Sequence, residues 1–328
     1  MTIERQEVLV TSPRGEARGI QVTEETFEPA GPGPVRGQAP ALAARVRLPL
    51  ARRLDDAGGE LRGAGAGVAA TDRVAPVYLR GMSNGLQETV ALVTGASSGI
   101  GEATARALAA HGARVAVVAR RKDRLDALAG EIGGLAIQAD VTDREQAVAA
   151  VEQTVQELGR LDIVINNAGV MLLGPIVDAP VEEWDRMLAL NVQGLMYVAH
   201  AAIPHLLEAA ESEPRRVADL VNVSSVAGRR VRVGGGIYQL TKHGVGTFSE
   251  ALRQEVTARH VRSSLIEPGA TESELVSHVR EEVRDQLPPG VDQILKAEDI
   301  ADAILYIVTR PRHVAINEVL VRPTEQVR

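Results

Sequence analysis

Short apolar runs alternate with helix-like segments along the chain from residue 89 onwards. The apolar runs predict buried strands at residues 90–93, 114–119, 135–139, 162–165, 217–223, 263–266 and 315–321. The spacing of apolar residues between these runs predicts helices, including a long one over residues 181–211. Apolar strands separated by helices are typical of βαβ units around a buried parallel sheet. We therefore expect an α/β fold.

Residues 1–81 lack any sustained helical or strand periodicity beyond a short stretch at residues 45–54. Proline and glycine are concentrated here, for example in residues 28–34 and 63–67. Such a segment cannot bury enough apolar surface to offset its ordering entropy, so we predict that it is mostly disordered. Met82 opens a phrase typical of a natural protein start. We interpret residues 1–81 as an appended or over-extended leader, with a functional regulatory tail as the alternative, and residues 82–328 as a single domain.

Composition narrows the class of protein. Hydrophobic residues make up 45% of the chain and charged residues 24%, as in soluble globular proteins. The absence of cysteine excludes disulfides and cysteine-ligated metals, and it fits a cytoplasmic location. The N-terminus lacks an apolar signal core, and no run of about 18 apolar residues predicts a membrane span. The net charge of -7 argues against a nucleic-acid partner, and the histidines are not spaced as metal ligands.

A glycine-rich turn follows the first predicted strand. Gly95, Gly99 and Gly101 would allow a tight turn, close backbone approach to a pyrophosphate and tight packing of the next helix. The pattern stands between a strand and a helix, as the dinucleotide-binding fingerprint requires. We therefore predict a Rossmann-type doubly wound parallel sheet of about seven strands, with helices on both faces. The residues of the turn expected to contact the cofactor are Gly95, Ser97, Ser98, Gly99, Ile100 and Gly101.

The ends of the next two strands bear on the choice of cofactor. An NAD-specific enzyme usually has a carboxylate at the end of the second strand, but this chain has Arg120, Arg121 and Lys122. Such a cationic cluster suits a 2′-phosphate, so we favour NADP(H) over NAD(H); ordinary solvated charge at the start of a helix is the alternative. At the end of the third strand Asp140, followed by Val141, is placed to meet the adenine amino group.

Residues 225–242 contain the candidate catalytic chemistry. Tyr238 and Lys242 are four residues apart, so on a helix their side chains share one face. An ammonium beside a phenol favours the phenolate, which a tyrosine needs if it is to exchange protons near neutral pH. Ser225 precedes them and is placed to hydrogen-bond a reacting oxygen. Asn191 lies among apolar neighbours within a predicted helix, and a buried amide needs partners.

These motifs, taken together and in order, resemble the short-chain dehydrogenase/reductase family over about 240 residues from Thr89. The end of the chain and residues 252–257 look like a subgroup that contains NADP-dependent 3-hydroxy acid or serine dehydrogenases and clavulanate-type aldehyde reductases. The motifs that carry the resemblance are residues 94–101, residues 166–169, Asn191, Ser225, Tyr238 with Lys242, and residues 268–269.

The resemblance implies a role for each matching residue. Tyr238 would be the general acid or base, and Lys242 would lower its pKa and bind the nicotinamide ribose. Ser225 would hold the substrate oxygen, and Asn191 would position a water in the proton relay. Asn167 would meet the cofactor through its backbone, and Thr271 would touch the carboxamide. Further cofactor contacts are implied at Ala168, Gly169, Tyr238, Lys242, Pro268 and Gly269. The family also implies a homo-oligomer, a dimer or tetramer, and no metal.

The substrate is constrained only to a small carbonyl or alcohol compound. Arg229, Arg230 and Arg232 are placed to attract a carboxylate, although solvated surface arginines are the alternative. NAD(P)-dependent oxidation of 3-hydroxy acids or serine-like compounds is therefore an alternative to carbonyl reduction. A non-catalytic NADP(H)-binding regulator is a more remote one, because such relatives usually lose the tyrosine or lysine. The charge-rich residues 270–296 are a candidate lid or substrate loop, where Ser273 replaces the family's usual threonine.

Overall fold

The computed structural model describes residues 3–11, 17–25, 85–284 and 293–327. The chain divides into two units, Met1–Ala70 and Thr71–Arg328. In the first unit, strands β1 (Ile3–Thr11) and β2 (Ala17–Glu25) pair in antiparallel register. The sequence analysis did not predict these two strands. The rest of the segment predicted to be disordered, and the predicted domain boundary at residue 82, lie outside the described residues.

The second unit is built on a seven-stranded sheet. Its strand order is β5-β4-β3-β6-β7-β8-β9, and every neighbouring pair is parallel. The order reverses direction between β3 and β6, which opens a crevice at the carboxyl ends of these two strands. The predicted fold class is therefore confirmed. The strands are β3 (Val90–Thr94), β4 (Arg114–Ala119), β5 (Leu135–Gln138), β6 (Ile163–Asn166), β7 (Ala218–Val223), β8 (Val261–Pro268) and β9 (Glu318–Val321).

Helices connect the strands and begin where the sequence places a turn or cap. Asp143, for example, precedes α3, and its side chain accepts a hydrogen bond from the backbone N–H of Gln146. The helices are α1 (Gly99–Ala110), α2 (Lys122–Ile132), α3 (Arg144–Leu158), α4 (Val181–Leu188), α5 (Leu195–Glu211), α6 (Gly236–Val256), α7 (Glu281–Arg284) and α8 (Ala297–Val308). A π-helical turn, Ala189–Gly194, joins α4 to α5, so the predicted long helix is continuous but changes pitch.

The sheet is covered by apolar side chains on both faces. On one face α3, α5 and the end of α6 pack on the strands, with Leu206 and Leu220 fully buried. On the other face α1, α2 and α8 pack on the strands, with Leu108 and Ile304 fully buried. Strands buried on both sides are apolar almost throughout, which is why short apolar runs located them.

One described helix, Val181–Glu211, is long and apolar enough to cross a membrane when judged by length and composition alone. Polar residues such as Asn191 and His200 interrupt this segment, which is why no uninterrupted apolar run marks it in the sequence. In the structure, 39% of its most apolar window is buried. Its buried residues, among them Ala202 and Leu206, pack on the sheet.

A buried ionic cluster stabilises the edge of the sheet opposite the crevice. The Asp219 carboxylate, in β7, accepts hydrogen bonds of 2.6 and 2.8 Å from Arg262 in β8. A further bond of 2.7 Å comes from Arg215. Asp219 is fully buried and Arg262 is 5% exposed. A charge at such depth is tolerated only while its partners neutralise it.

Replacing Asp219 by Asn is expected to destabilise the protein by about 3–5 kcal/mol, because the buried Arg262 loses its counter-charge. Urea denaturation of the full chain measures this change. Glu250→Gln is the matched control, since Glu250 pairs with Arg253 on the exposed surface of α6 and its loss is expected to change the midpoint little. Equal midpoints for Asp219→Asn and the wild type would contradict this role.

Candidate active site

A cleft of about 1370 Å³ lies at the carboxyl ends of the sheet strands. The residues that the sequence analysis assigned to the cofactor or to catalysis all line this cleft, except Gly101 and Asn191. Parallel strands deliver their carboxyl ends to one edge, so residues distant in sequence meet there. The fold therefore brings the predicted site together in one place.

The glycine turn after β3 is held by the end of β6. The Asn167 side chain donates hydrogen bonds to the backbone oxygens of Thr94, at 2.9 Å, and Gly95, at 3.2 Å. In return, the Thr94 hydroxyl accepts hydrogen bonds from the backbone N–H groups of Asn167 and Ala168. The Asn167 side chain thus has a structural role that the sequence analysis did not predict. The predicted contact between its backbone and the cofactor stays a prediction.

Two of the predicted glycines are required by close contacts. Gly95 has a φ of +65°, and a Cβ there would lie 2.8 Å from the Cα of Ala168. A Cβ on Gly101 would lie 2.5 Å from both the Asn167 amide nitrogen and the Gly95 oxygen. Ser98, which precedes α1, makes no side-chain hydrogen bond to the first turn of that helix. The turn therefore offers a bare helix N-terminus, which suits a pyrophosphate.

The cationic cluster after β4 is divided between the cleft and the surface. Arg121 donates hydrogen bonds to Ser97, at 3.0 and 2.8 Å, and to Ser98, at 2.8 Å, so its guanidinium lies over the glycine turn. The Arg120 side chain is 72% exposed and lies 3.8 Å from Asp140. The sequence analysis treated the two arginines alike. The structure distinguishes them, because only Arg121 is fixed against the turn.

Two charged residues at this position escaped the sequence analysis. Glu274, from the segment after β8, accepts hydrogen bonds of 2.8 Å from both Arg121 and Arg124. These bonds hold the pKa of Glu274 well below its usual range, at about 2. Arg124 lies one helical turn beyond Arg121, so its position on the same face could have been inferred from spacing alone. Lys122 instead pairs with Asp126 on the surface of α2.

Tyr238 and Lys242 lie side by side near the start of α6. They are only 7% and 6% exposed, and the Lys242 Nζ is 5.9 Å from the centre of the tyrosine ring. The ammonium donates a 2.8 Å hydrogen bond to the backbone oxygen of Val223, at the end of β7. Ser225 hydrogen-bonds the Tyr238 side chain and accepts a bond from the N–H of Ala227, which fixes its rotamer. The structure therefore brings Ser225, Tyr238 and Lys242 together, as the sequence predicts.

Burial sets the protonation of this pair. It raises the pKa of Tyr238 to about 12, and the hydrogen bond with Ser225 lowers that pKa only in part. Burial also lowers the pKa of Lys242 to about 8. The expected lowering of the phenol pKa by the ammonium is thus not found in this structure. The physical reason is that both groups are desolvated and the ammonium is directed at Val223.

Asn191 lies in the π-helical turn and is 1% exposed. Its side-chain oxygen accepts a 2.8 Å hydrogen bond from the N–H of Val170, and its nitrogen donates to the Val170 oxygen at 2.8 Å and to Thr241 at 3.1 Å. The expected burial and partners are therefore found. Both amide hydrogens are used by these bonds, so any water that Asn191 positions would bind its side-chain oxygen or its backbone.

A buried polar chain beneath the site aligns the elements that carry it. Asn166 donates a 3.0 Å hydrogen bond to Asn222, and Asn222 donates a 2.8 Å bond to Ser249 of α6. These bonds join β6, β7 and α6, so they fix the position of α6, which carries Tyr238, on the sheet. The sequence analysis missed the chain, since the three residues are distant in sequence.

The end of β8 closes the cleft beside Ser225. Thr271 donates a 3.1 Å hydrogen bond to the Gly269 oxygen, and the N–H of Ala270 donates to Gln326 near the C-terminus. Pro268 accepts a long hydrogen bond of 3.5 Å from Ser225. The predicted Pro-Gly loop is thus hydrogen-bonded both to Ser225 and to the C-terminal segment. The predicted lid over residues 270–296 is described except for residues 285–292.

The three arginines between Ser225 and Tyr238 have different surroundings. Arg229 donates hydrogen bonds of 2.7 and 2.8 Å to the buried Glu267 and also binds Glu318. These carboxylates raise the pKa of Arg229. They also neutralise its positive charge, so it is not available to a substrate anion. Arg230 and Arg232 are exposed and line the cleft. Of the three, only these two are placed to attract an anionic substrate.

A doubly wound parallel sheet, a glycine turn at its crevice and a buried tyrosine–lysine pair define an NAD(P)-binding oxidoreductase. The family model for short chain dehydrogenases matches residues 89–284. The chain belongs to this family, the short-chain dehydrogenases/reductases.

Similar proteins include characterised and uncharacterised members. An uncharacterized oxidoreductase of Staphylococcus aureus (strain MRSA252) is 37% identical over 241 residues, covering 73% of this chain and 98% of that protein. A closed form of serine dehydrogenase complexed with NADP+ is 31% identical with a TM-score of 0.65, covering 73% of this chain and 97% of that one. A 3-ketoacyl-(acyl-carrier-protein) reductase from Brucella melitensis complexed with NADH is 32% identical with a TM-score of 0.64, covering 72% and 97%.

Burial of Lys242 predicts a pH dependence of stability. The pKa of Lys242 is about 8 in the folded protein and about 10.4 in an unfolded chain. Between these values the unfolded state binds more protons, so the free energy of unfolding rises with pH. We expect Lys242→Met to lose this rise relative to the wild type, measured by urea denaturation at pH 7–10. Parallel pH profiles for the two proteins would contradict the burial of the charge.

Proposed function

We propose that this protein is an NADP(H)-dependent oxidoreductase that interconverts the carbonyl and alcohol forms of a small molecule. The observation that carries the proposal is the buried pair of Tyr238 and Lys242, with Ser225 bonded to the tyrosine, at the cleft beside the glycine turn. A phenol, a serine hydroxyl and an ammonium in one pocket are the groups needed to handle the proton of a reacting oxygen.

The residues at the cleft fit a dinucleotide. The bare N-terminus of α1 and the close approach at Gly95 suit the pyrophosphate. Arg121, together with Ser97 and Ser98, suits a 2′-phosphate, because a guanidinium and hydroxyl groups are good donors to phosphate oxygens. When bound, the cofactor would supply or accept the hydride. We assign the remaining contacts to residues named above: Arg120, Asp140, Val141, Asn167, Ala168, Gly169, Tyr238, Lys242, Pro268, Gly269 and Thr271.

Tyr238 is the proton donor in the proposed reduction. Its phenol lies beside Ser225 in the cleft and can donate to a substrate oxygen that becomes negative. Ser225 would hold the same oxygen. Lys242, with a pKa of about 8, is charged at neutral pH and stands beside the tyrosine. Asn191 would hold a water that passes the replacement proton to Lys242. We propose carbonyl reduction as the first candidate reaction.

Oxidation of 3-hydroxy acids or serine-like compounds is the second candidate function. Arg230 and Arg232, exposed at the cleft, favour it because they would attract a substrate carboxylate. Likeness to a serine dehydrogenase complexed with NADP+ also supports it. A non-catalytic regulator is less supported, since Tyr238 and Lys242 are both present. We further propose a homotetramer or dimer, as the family implies. From composition and charge we propose a cytoplasmic location and no nucleic-acid or membrane partner.

Replacing Tyr238 by Phe is expected to reduce turnover by roughly two to four orders of magnitude, because the proton donor is lost. NADPH binding is expected to persist. The assay follows NADPH consumption with aldehydes and ketones, and NADP+ reduction with 3-hydroxy acids and serine. Tyr306→Phe is the matched control, because Tyr306 is 49% exposed on α8. Near-normal turnover by Tyr238→Phe on the best substrate would refute the assignment.

Replacing Arg121 by Ala is expected to weaken NADPH binding about 10- to 100-fold, the cost of losing charge-assisted hydrogen bonds to phosphate. NADH binding should change little. Fluorescence titration measures both dissociation constants. Arg120→Ala is the matched control, and its smaller expected effect follows from the 72% exposure of the Arg120 side chain. An unchanged NADPH affinity in Arg121→Ala would contradict a 2′-phosphate site at this residue.

A further inference from the structure

An ion pair spans the adenine end of the cleft. Glu274 begins a short 3₁₀ turn, Glu274–His278, in the segment after β8. Its carboxylate accepts 2.8 Å hydrogen bonds from Arg121 and Arg124, which stand 153 and 150 residues earlier in the chain. Ser98 adds a side-chain hydrogen bond. A carboxylate from one side of the cleft is thus held by the donors that follow β3 and β4 on the other side.

These donors are the ones that a 2′-phosphate would need. Arg121 donates hydrogen bonds to Ser97, Ser98 and Glu274. The Glu274 carboxylate is thus the anion bound by this guanidinium. Carboxylate and phosphate oxygens are bound by guanidinium groups in the same way. Glu274 accepts from the Nη1 group of Arg121, whereas Nε and Nη2 bond the two serines. A phosphate at the serines would lie beside the carboxylate on the same guanidinium, where their like charges repel. Binding of one anion therefore opposes binding of the other.

The segment that carries Glu274 is fixed on both sides of the residue. Thr271 forms a parallel bridge with Leu295, and Arg280 lies 2.9 Å from Glu183 of α4. Between these anchors Ser273 lies over the glycine turn, because a Cβ on Gly99 would be 3.8 Å from its Cβ. Release of Glu274 can therefore be local. The rest of the segment keeps its attachments while the carboxylate moves.

We propose that Glu274 determines cofactor specificity: its carboxylate occupies the position on Arg121 and Arg124 that a 2′-phosphate needs, so NADP(H) has to displace it and NAD(H) does not. The inference rests on the proposed NADP(H) site at Arg121. With NADP(H), part of the binding free energy is used to break the ion pair. With NAD(H), the ion pair stays closed across the adenosine end of the cleft. Glu274 thus reduces the difference in affinity between NADP(H) and NAD(H).

The test compares Glu274→Gln with the wild type in the full chain. Fluorescence titration is expected to show NADPH binding roughly three- to twentyfold tighter in Glu274→Gln, the range for loss of one or two exposed ion pairs. NADH binding is expected to be unchanged or weaker. Glu272→Gln is the matched control for charge, because Glu272 is exposed and is not among the described residues that line the cleft. It is expected to bind both cofactors like the wild type.

Calorimetry with adenosine 2′-monophosphate isolates the anion pocket from the rest of the cofactor. Glu274→Gln is expected to bind this probe more tightly than the wild type and to bind adenosine 5′-monophosphate equally. In the Arg121→Ala background the Glu274→Gln change should tighten NADPH binding less than it does in the wild type, because only the contact of Glu274 with Arg124 remains. Full additivity of the two changes would overturn the proposal.

The outcomes separate this inference from the function on which it rests. If the wild type binds NADPH tightly and Glu274→Gln binds it equally or more weakly, the competition by Glu274 is refuted while the NADP(H) function stands. If the wild type binds NADH better than NADPH and Arg121→Ala changes neither affinity, the NADP(H) site itself is refuted, and the inference fails with it.

Discussion

The contact between the glycine turn and the end of β6 is the constraint on which the site depends. Gly95 and Ala168 approach so closely that no side chain fits at position 95, and Asn167 fastens the two strand ends together. This contact holds the crevice at the point where the strand order reverses. The dinucleotide-binding turn and the elements that present Tyr238 thereby share one rigid edge of the sheet.

Charge serves different purposes at the two ends of this sheet. At the amino ends of the strands, Asp219 and Asp162 are fully buried. Arg262 binds the first and Arg160 binds the second, and these ion pairs stabilise the fold. At the carboxyl ends the pair of Arg121 and Glu274 is half-exposed, so its guanidinium is accessible from the cleft. Burial therefore separates arginines that fix the fold from those that are available to ligands.

Local signals in the sequence predicted most of the fold and much of the site. Buried parallel strands are apolar throughout, and the glycine turn, Tyr238 and Lys242 depend on spacings of a few residues. What escaped prediction depends on distant residues meeting. Glu274 on Arg121, Glu267 on Arg229 and Asn222 on Asn166 are pairs whose members stand on different elements. The pKa of Tyr238 was not predicted either. Burial raises it despite the neighbouring ammonium, and the sequence does not show how deeply the phenol is buried.

The π-helical turn at Ala189–Gly194 lets one helix carry an extra residue without changing the face that follows it. A π-turn holds one residue more than an α-turn, so the additional residue is taken up within a single wide turn. Ala202 and Leu206, further along in α5, therefore keep their places in the core on the sheet. The widening that buries Asn191 beside Val170 is thus confined to one turn, and the packing of α5 does not depend on it.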